Sequence, residues 1–200
     1  LLNALPYVVR HVPFLFFANI NTNLAYVTNH IRPYSELARD LAADQVPRFC
    51  FITPNLTNDM HSLAPGSPSA RLQGDNWLSR EIPLILNSAA YRRGGLIILT
   101  WDEGAGNVSD GPIGLVLLSP RIRAKGYTNS LPLNHSDTLR TIQDILGVGP
   151  YLGAAAQASG LDSFLLKLRV EAGAAGPDGR HVLLRDALVG KSYQLESLPA

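Results

Sequence analysis

Two adjacent carboxylates, Asp102 and Glu103, follow an apolar run at residues 96–101 (LIILTW). Apolar and β-branched residues in a row predict a strand covered on both faces, as is usual in parallel sheets. In open α/β sheets, ligands bind beyond the carboxyl ends of the strands, where these two side chains would project. Two neighbouring anions repel each other unless a cation lies beside them, so the pair suggests a divalent-metal site. A solvated acidic loop is the alternative for such a pair taken alone.

A second group of chemically capable residues, Asp59 and His61, follows a short apolar run at residues 49–53 (FCFIT). The two residues stand two apart in a stretch without periodicity, so their side chains point the same way if the backbone is extended. Carboxylate and imidazole are common ligands of divalent metals. Taken alone, this Asp-x-His pattern is more simply explained by an ordinary surface loop.

The third candidate is His135, in the sequence NHSD at residues 134–137. A helical pattern follows, with Ser136 or Asp137 as the expected cap and Gly147 at the expected end. His135 is then predicted at or just outside the positive end of a helix, where an anion is favoured. An exposed histidine without a function is the alternative.

The order of the elements that must position these residues predicts an α/β fold. Apolar runs predict strands at residues 14–20, 49–53, 96–101 and 113–119. Helical periodicity predicts helices at residues 35–43, at residues 75–91 and from Ser136 onward. Ser35 and Asp75 are the expected caps of the first two, and Pro83 is expected to kink or split the second. Strands that alternate with helices predict a mostly parallel sheet covered by helices on both faces.

The remaining segments carry weaker signals. Residues 104–111, rich in Gly, Asn, Ser and Asp, are expected to form either a lid over the acidic pair or a plain surface loop. Residues 161–170 could form a short amphipathic helix. The end of the chain is expected to be partly ordered at best.

Composition excludes several classes of protein. With 46% hydrophobic and 16% charged residues, the 200-residue chain can bury a substantial core. Its net charge of +1, without a basic stripe, gives no case for binding nucleic acid. Proline and charged residues interrupt the apolar residues 1–20 too often for a membrane span, and this stretch lacks the pattern of a signal peptide. The single cysteine, Cys50, is expected to be a small buried residue of a strand.

Four blocks of the sequence together resemble the phosphoesterase family of bacterial acid phosphatases and phospholipase C-type enzymes, within the alkaline-phosphatase superfamily. In chain order the blocks are PNLTNDMH, GDNWLSREIPLILNS, LIILTWDEG, and GYTNS with NHSDTLRTIQDILGV. The similarity covers roughly residues 13–149. It implies metal-dependent hydrolysis of phosphate esters on an α/β sandwich.

The resemblance also implies roles for the candidate residues. Asp59, Asp102 and Glu103 are the expected metal ligands, and His61 and His135 the expected catalytic residues, with one or more divalent metal ions of unknown identity as the cofactor. The expected substrate is a small phosphate ester or a phospholipid headgroup. An extracytoplasmic or secreted location is common in the family.

One departure from the family pattern concerns residues 1–34. The family carries a Glu-Asn type metal motif near its N-terminus and a Ser or Thr nucleophile downstream of it, and neither has a counterpart there. Residues 1–150 are therefore expected to be the C-terminal portion of an alkaline-phosphatase-like domain lacking its N-terminal part, and residues 151–200 a partly ordered extension. A non-catalytic remnant, acting as a binding or interaction module, is the alternative reading.

Overall fold

The computed structural model describes residues 5–104 and 111–165, and the backbone of residues 191–194. The described residues contain the helices α1 (Ala18–Asn21), α2 (Leu24–His30), α3 (Leu37–Ala42), α4 (Ala70–Leu86), α5 (Ala89–Arg92) and α6 (His135–Leu146). They contain the strands β1 (Ile31–Pro33), β2 (Cys50–Thr53), β3 (Ile97–Thr100), β4 (Leu115–Leu118) and β5 (Lys191–Gln194). The chain divides into two compact units, Leu1–Arg92 with Leu184–Ala200 and Arg93–Leu183. Within the described residues, no helix has the length and apolar character needed to span a bilayer.

The first unit begins with short helical turns, so the strand predicted at residues 14–20 was wrong. A 3-10 helix spans Pro13–Phe16, and α1 follows it. Proline lacks the N–H that a strand ladder needs, whereas its fixed φ suits the first position of a helical turn. Leu15 is buried, but Phe16 and Phe17 are 66% and 57% exposed, so this segment contributes a core side chain without forming a core strand.

A three-stranded sheet in the order β1-β5-β2 belongs to the first unit, and both of its pairings are parallel. β2 confirms the strand predicted at residues 49–53. Cys50, at the start of β2, packs against the hydrophobic cluster of this unit. The chain leaves β2 directly into the segment that contains Asp59 and His61.

The hydrophobic cluster of the first unit consists of Tyr34, Leu37, Leu41 and Trp77. Leu37 and Leu41 lie on the buried face of α3, as their spacing predicts. Trp77 brings α4 into the same cluster. The cluster therefore holds α4 in place. It also holds the residues of α4 that contact the segment with Asp59 and His61.

Both caps predicted in the first unit were wrong. Ser35 lies inside the 3-10 turn Tyr34–Glu36, which leads into α3 without a side-chain cap. Ser69 caps α4 by accepting a backbone hydrogen bond, so Asp75 lies exposed within the helix. Pro83 does not split α4, which continues beyond it.

In the second unit, β3 and β4 confirm the strands predicted at residues 96–101 and 113–119. They pair antiparallel, with Ile97 opposite Leu118, so the described strands do not form the single, mostly parallel sheet that was predicted. Gly104, after β3, and Gly111, before β4, lie close together in keeping with this pairing. A Cβ atom at Gly104 would lie 2.7 Å from the Gly111 carbonyl oxygen. Ends in such close contact return the chain beside itself, as in a hairpin. Residues 105–110, on which the predicted lid depends, lie outside the described residues.

Helix α6 is capped by Asn134 instead of the predicted Ser136 or Asp137. Asp137 takes part as the second member of a capping box, in which its carboxylate accepts a hydrogen bond from the Asn134 N–H. Gly147 ends the helix with a φ of 66°, as predicted. The cap places His135 at the first position of the helix.

The segment after α6 returns to pack on the second unit. Residues 161–165 form turns, and Leu165 makes a bridge to Ile122, so the helix predicted at residues 161–170 does not begin there. Leu161 is fully buried, and its N–H donates to the Thr141 hydroxyl of α6 at 2.7 Å. The rest of the predicted helix lies outside the described residues.

Candidate functional site

The acidic pair of the second unit lies directly beyond β3, and α6 brings a histidine to it. Asp102 and Glu103 are both exposed, and His135 Nε2 lies 2.9 Å from the Asp102 carbonyl oxygen. A carbonyl oxygen only accepts hydrogen bonds, so Nε2 carries a proton and donates it. In the neutral ring, Nδ1 then keeps its lone pair and can accept a proton or bind a cation. The hydrogen bond thus fixes which imidazole nitrogen faces solvent as the reactive one.

The positive end of α6 is already occupied by groups of the protein. Asn134 Oδ1 accepts a hydrogen bond from the Ser136 N–H at 2.8 Å. Asp137 places a buried carboxylate in the first turn of the helix. These groups use an N–H donor and add negative charge, which makes the helix end a poor place for a further anion. The His135 ring, more than the helix N–H groups, would meet a bound phosphate.

Asp59 and His61 lie in an irregular segment of the first unit, as predicted, but the backbone between them is not extended. Met60 has a φ of 70°, in the left-handed region. The His61 N–H donates to Asp59 Oδ1 at 2.8 Å, which orients the carboxylate. The His61 ring is exposed, and its Nδ1 lies 3.1 Å from the Ser62 hydroxyl. The two predicted residues are therefore joined through a turn and not through parallel side chains.

His11, which the sequence pattern did not single out, is the ring that faces Asp59. His11 Nε2 lies 3.9 Å from Asp59 Oδ2, and the two side chains are 20% and 12% exposed. His11 Nδ1 lies 3.3 Å from the Pro54 carbonyl oxygen, so Nδ1 carries the proton and Nε2 points at the carboxylate. In the neutral ring both facing atoms are acceptors, which suits a cation or a donor group between them, whereas in the protonated ring Nε2 donates toward the carboxylate. No local spacing could reveal this pair, because 47 intervening residues separate it and only the fold brings it together.

The described residues of either unit offer metal ligands in pairs but not as a complete shell. In the parts of the chain that the structure describes, no three His, Cys, Asp or Glu side chains cluster closely enough to hold a metal ion. A tetrahedral ion separates its ligand atoms by about 3.4 Å, less than the 3.9 Å between His11 Nε2 and Asp59 Oδ2. A protein metal site usually has three or more such ligands. These residues alone therefore do not fit a complete metal centre.

Comparison with known proteins places this arrangement in a family. The model of the phosphoesterase family matches residues 6–149, which include all the candidate residues. A phosphatidylinositol-3-phosphatase of Mycobacterium tuberculosis is 32% identical over 152 residues, covering 76% of this chain and 45% of the relative. An acid phosphatase of Aspergillus fumigatus is 28% identical over 149 residues, covering 74% of this chain and 32% of the relative.

A phosphate-repressible acid phosphatase of Penicillium chrysogenum shows 32% identity over 98 residues, or 49% of this chain and 22% of the relative. The chain thus spans less than half the length of these curated relatives. No solved structure gives a significant match. The family match nevertheless extends over most of the chain, and the chain belongs to the phosphoesterase family.

Proposed function

We propose that this chain takes part in the hydrolysis of phosphate monoesters, with its chemistry at Asp102, Glu103 and His135. The observation that carries the proposal is the hydrogen bond between His135 Nε2 and the Asp102 carbonyl oxygen, which holds an imidazole beside an exposed acidic pair. The pair and the ring come from elements far apart in the sequence, and both fall inside the region that matches the phosphoesterase family.

His135 is suited to handle a proton of the leaving group. With Nε2 committed to the Asp102 carbonyl oxygen, only Nδ1 can meet the substrate. A protonated Nδ1 can hydrogen-bond a phosphoryl oxygen and pass its proton to the leaving oxygen as the ester bond breaks. General acid catalysis of this kind typically contributes about 10²- to 10⁴-fold in rate.

Asp102 and Glu103 cannot attract a phosphate by themselves, since both groups are anionic. We propose a divalent metal ion as the cofactor, because such an ion would neutralise the phosphate charge and polarise the phosphorus. The two exposed carboxylates are proposed metal ligands of the second unit, and Asp59 is a proposed metal ligand of the first unit. The described residues do not complete the ligand shell of such an ion.

The names of the relatives support a proposed substrate class. The three relatives named above are called phosphatases, which favours phosphate monoesters over the diesters of phospholipase C-type enzymes. One of them is named for a phosphorylated inositol lipid, so a lipid headgroup is a proposed substrate beside small phosphate esters. His61, exposed beside Asp59, is proposed to contact the phosphate.

The proposal is tested by hydrolysis of p-nitrophenyl phosphate and bis-p-nitrophenyl phosphate in the presence of Mg²⁺, Mn²⁺, Zn²⁺ or Ca²⁺, and with EDTA. Asp102→Ala removes the carboxylate but keeps the backbone carbonyl that anchors His135. His135→Ala removes the imidazole. Asp162→Ala is the matched control, because Asp162 is an exposed carboxylate of the same unit without a side-chain hydrogen bond among the described residues.

The expected result is turnover of the monoester in preference to the diester, lost with EDTA and with Asp102→Ala, lowered at least about 100-fold by His135→Ala, and unchanged in the control. Since Asp102 is exposed, its replacement should leave the free energy of unfolding within about 0.5 kcal/mol. Turnover that survives both active-site substitutions would place the chemistry elsewhere. Absence of both turnover and metal binding would favour the non-catalytic remnant.

A further inference from the structure

Helix α4 is hydrogen-bonded to both ends of the segment that carries Asp59 and His61. The Gln73 side-chain amide donates to the Thr57 carbonyl at 2.5 Å and to the Ser62 carbonyl at 3.3 Å. Its oxygen accepts a hydrogen bond from the Ala64 N–H at 2.8 Å. The two donor contacts flank residues 58–61, and the acceptor contact lies just beyond them. A single side chain thus connects the two ends of this loop by hydrogen bonds.

The orientation of the Gln73 amide follows from its partners. Carbonyl oxygens can only accept, and a backbone N–H can only donate, so the opposite amide orientation would place oxygen against oxygen at Thr57 and Ser62. All three hydrogen bonds therefore require an amide at position 73. A carboxylate of the same shape would keep the Ala64 contact and lose both donors.

Gly74, the next residue of α4, accommodates the apex of the same loop. A Cβ atom at Gly74 would lie 2.4 Å from Met60 Cγ and 3.2 Å from the Asn58 carbonyl oxygen. Met60 holds the left-handed φ of 70°, which costs a non-glycine residue free energy and persists only when the surroundings impose it. The close packing of Met60 on Gly74 and the hydrogen bonds of the Gln73 amide supply that constraint.

Asp59 and His61 lie in the loop that these hydrogen bonds hold. We therefore propose that Gln73 is a positioning residue. It holds the Asp59 carboxylate opposite His11 and presents the His61 imidazole to the substrate. Gln73 touches neither the carboxylate nor the imidazole, and it acts only through the loop backbone. This inference rests on the proposed function, in which Asp59 and His61 belong to the site. Substitutions of groups that orient a functional residue typically cost about 10- to 100-fold in affinity or rate.

The experiment uses the full chain with Gln73→Ala and Gln73→Glu, and with Asp75→Asn as a control on the exposed face of the same helix. Backbone amide hydrogen exchange at His61 and Ala64 reports on the loop without requiring activity. In Gln73→Ala, exchange at both amides should be at least about 10-fold faster than in the wild type, with the melting temperature retained. In Gln73→Glu, which keeps the acceptor for the Ala64 N–H, the same increase is expected at His61. The control should match the wild type.

The kinetic readout separates positioning from simple packing. With p-nitrophenyl phosphate, kcat should fall about 10- to 100-fold in both Gln73 variants. If Gln73 merely filled space, Glu of the same shape would restore kcat, and that result would overturn the inference. So would unchanged exchange at His61 and Ala64, or faster exchange with an unchanged kcat. Faster loop exchange in a chain whose wild type shows no turnover would support the loop geometry and count against the proposed function instead.

Discussion

Substitution of Asp137 tests how α6, and with it His135, is held in the second unit. Asp137 is 5% exposed, and its carboxylate accepts three backbone hydrogen bonds. Oδ2 accepts from the Asn134 N–H at 2.9 Å, and Oδ1 accepts from the Ser159 N–H at 2.9 Å and the Gly160 N–H at 3.1 Å. The carboxylate therefore fastens the start of α6 to the returning segment.

The expected cost of Asp137→Ala can be worked from these contacts. A hydrogen bond to a charged group contributes about 1.5–3 kcal/mol. The three bonds share one carboxylate, and desolvation of that carboxylate offsets part of the gain, so their contributions do not add fully. We expect Asp137→Ala to lower the free energy of unfolding by about 3–5 kcal/mol, as for the removal of one partner from a buried charged network. Asp137→Asn keeps an acceptor for one side of the network and should cost about 1–2 kcal/mol.

Urea denaturation followed by circular dichroism measures these differences. With a denaturant slope of about 2 kcal/mol per molar urea, Asp137→Ala should lower the midpoint by about 2 M and Asp137→Asn by less than about 1 M. The exposed Asp162→Ala control should stay within about 0.5 kcal/mol of the wild type. A cost below about 1 kcal/mol for Asp137→Ala, or an equal cost for the Ala and Asn variants, would refute the view that these hydrogen bonds fasten α6.

Two further predictions concern the first unit. The Tyr34 hydroxyl donates to Glu81 Oε2 at 2.8 Å, so Tyr34→Phe should lower the free energy of unfolding by about 1.5–3 kcal/mol in urea denaturation. Burial, followed by the hydrogen bond to Glu81, raises the pKa of Tyr34. Tyr34 therefore stays protonated across the ordinary tyrosine range, and the variant and the wild type should show the same tyrosinate absorbance change there. A smaller change in the variant would contradict this expectation. The hydrogen bond from Arg32 lowers the pKa of Glu36 below its ordinary value of 4.5. Ionised Glu36 therefore stabilises the fold fully above pH 4.5. This contribution is lost as the pH falls through the lowered pKa. Glu36→Gln should therefore remove part of the acid dependence of the melting temperature below pH 4.5, whereas an unchanged dependence would show that the Arg32 contact does not stabilise the fold.

Local patterns in the sequence determined several elements of this protein. The apolar runs that became β2 and β3 were recognisable as strands from their consecutive apolar residues, although the coverage on both faces expected of them was wrong, since Phe51 is exposed and the other strand residues are half-buried. Gly147 marked the end of α6, since few residues other than glycine adopt a left-handed cap at low cost. The sequence also placed Asp59, Asp102 and His135 after strands or at the start of a helix. The functional roles of these residues remain predictions.

Contacts between distant segments decided what local patterns could not. The antiparallel pairing of β3 with β4, and the close approach of Gly104 to Gly111 beyond it, are not encoded in strand composition. The burial of the Asp137 carboxylate depends on the return of the segment after α6, whose Ser159 and Gly160 N–H groups donate to Oδ1.

The partner of Asp59 was likewise outside the reach of the sequence pattern. His11 faces this carboxylate in the folded unit, where the turn after β2 is hydrogen-bonded to the Gln73 amide of α4 and to its own backbone. Periodicity reports which residues share a face of one element, because it depends on the geometry of a single helix or strand. Which side chains from separate elements meet depends on the packing of the whole unit, and only the tertiary structure determines that.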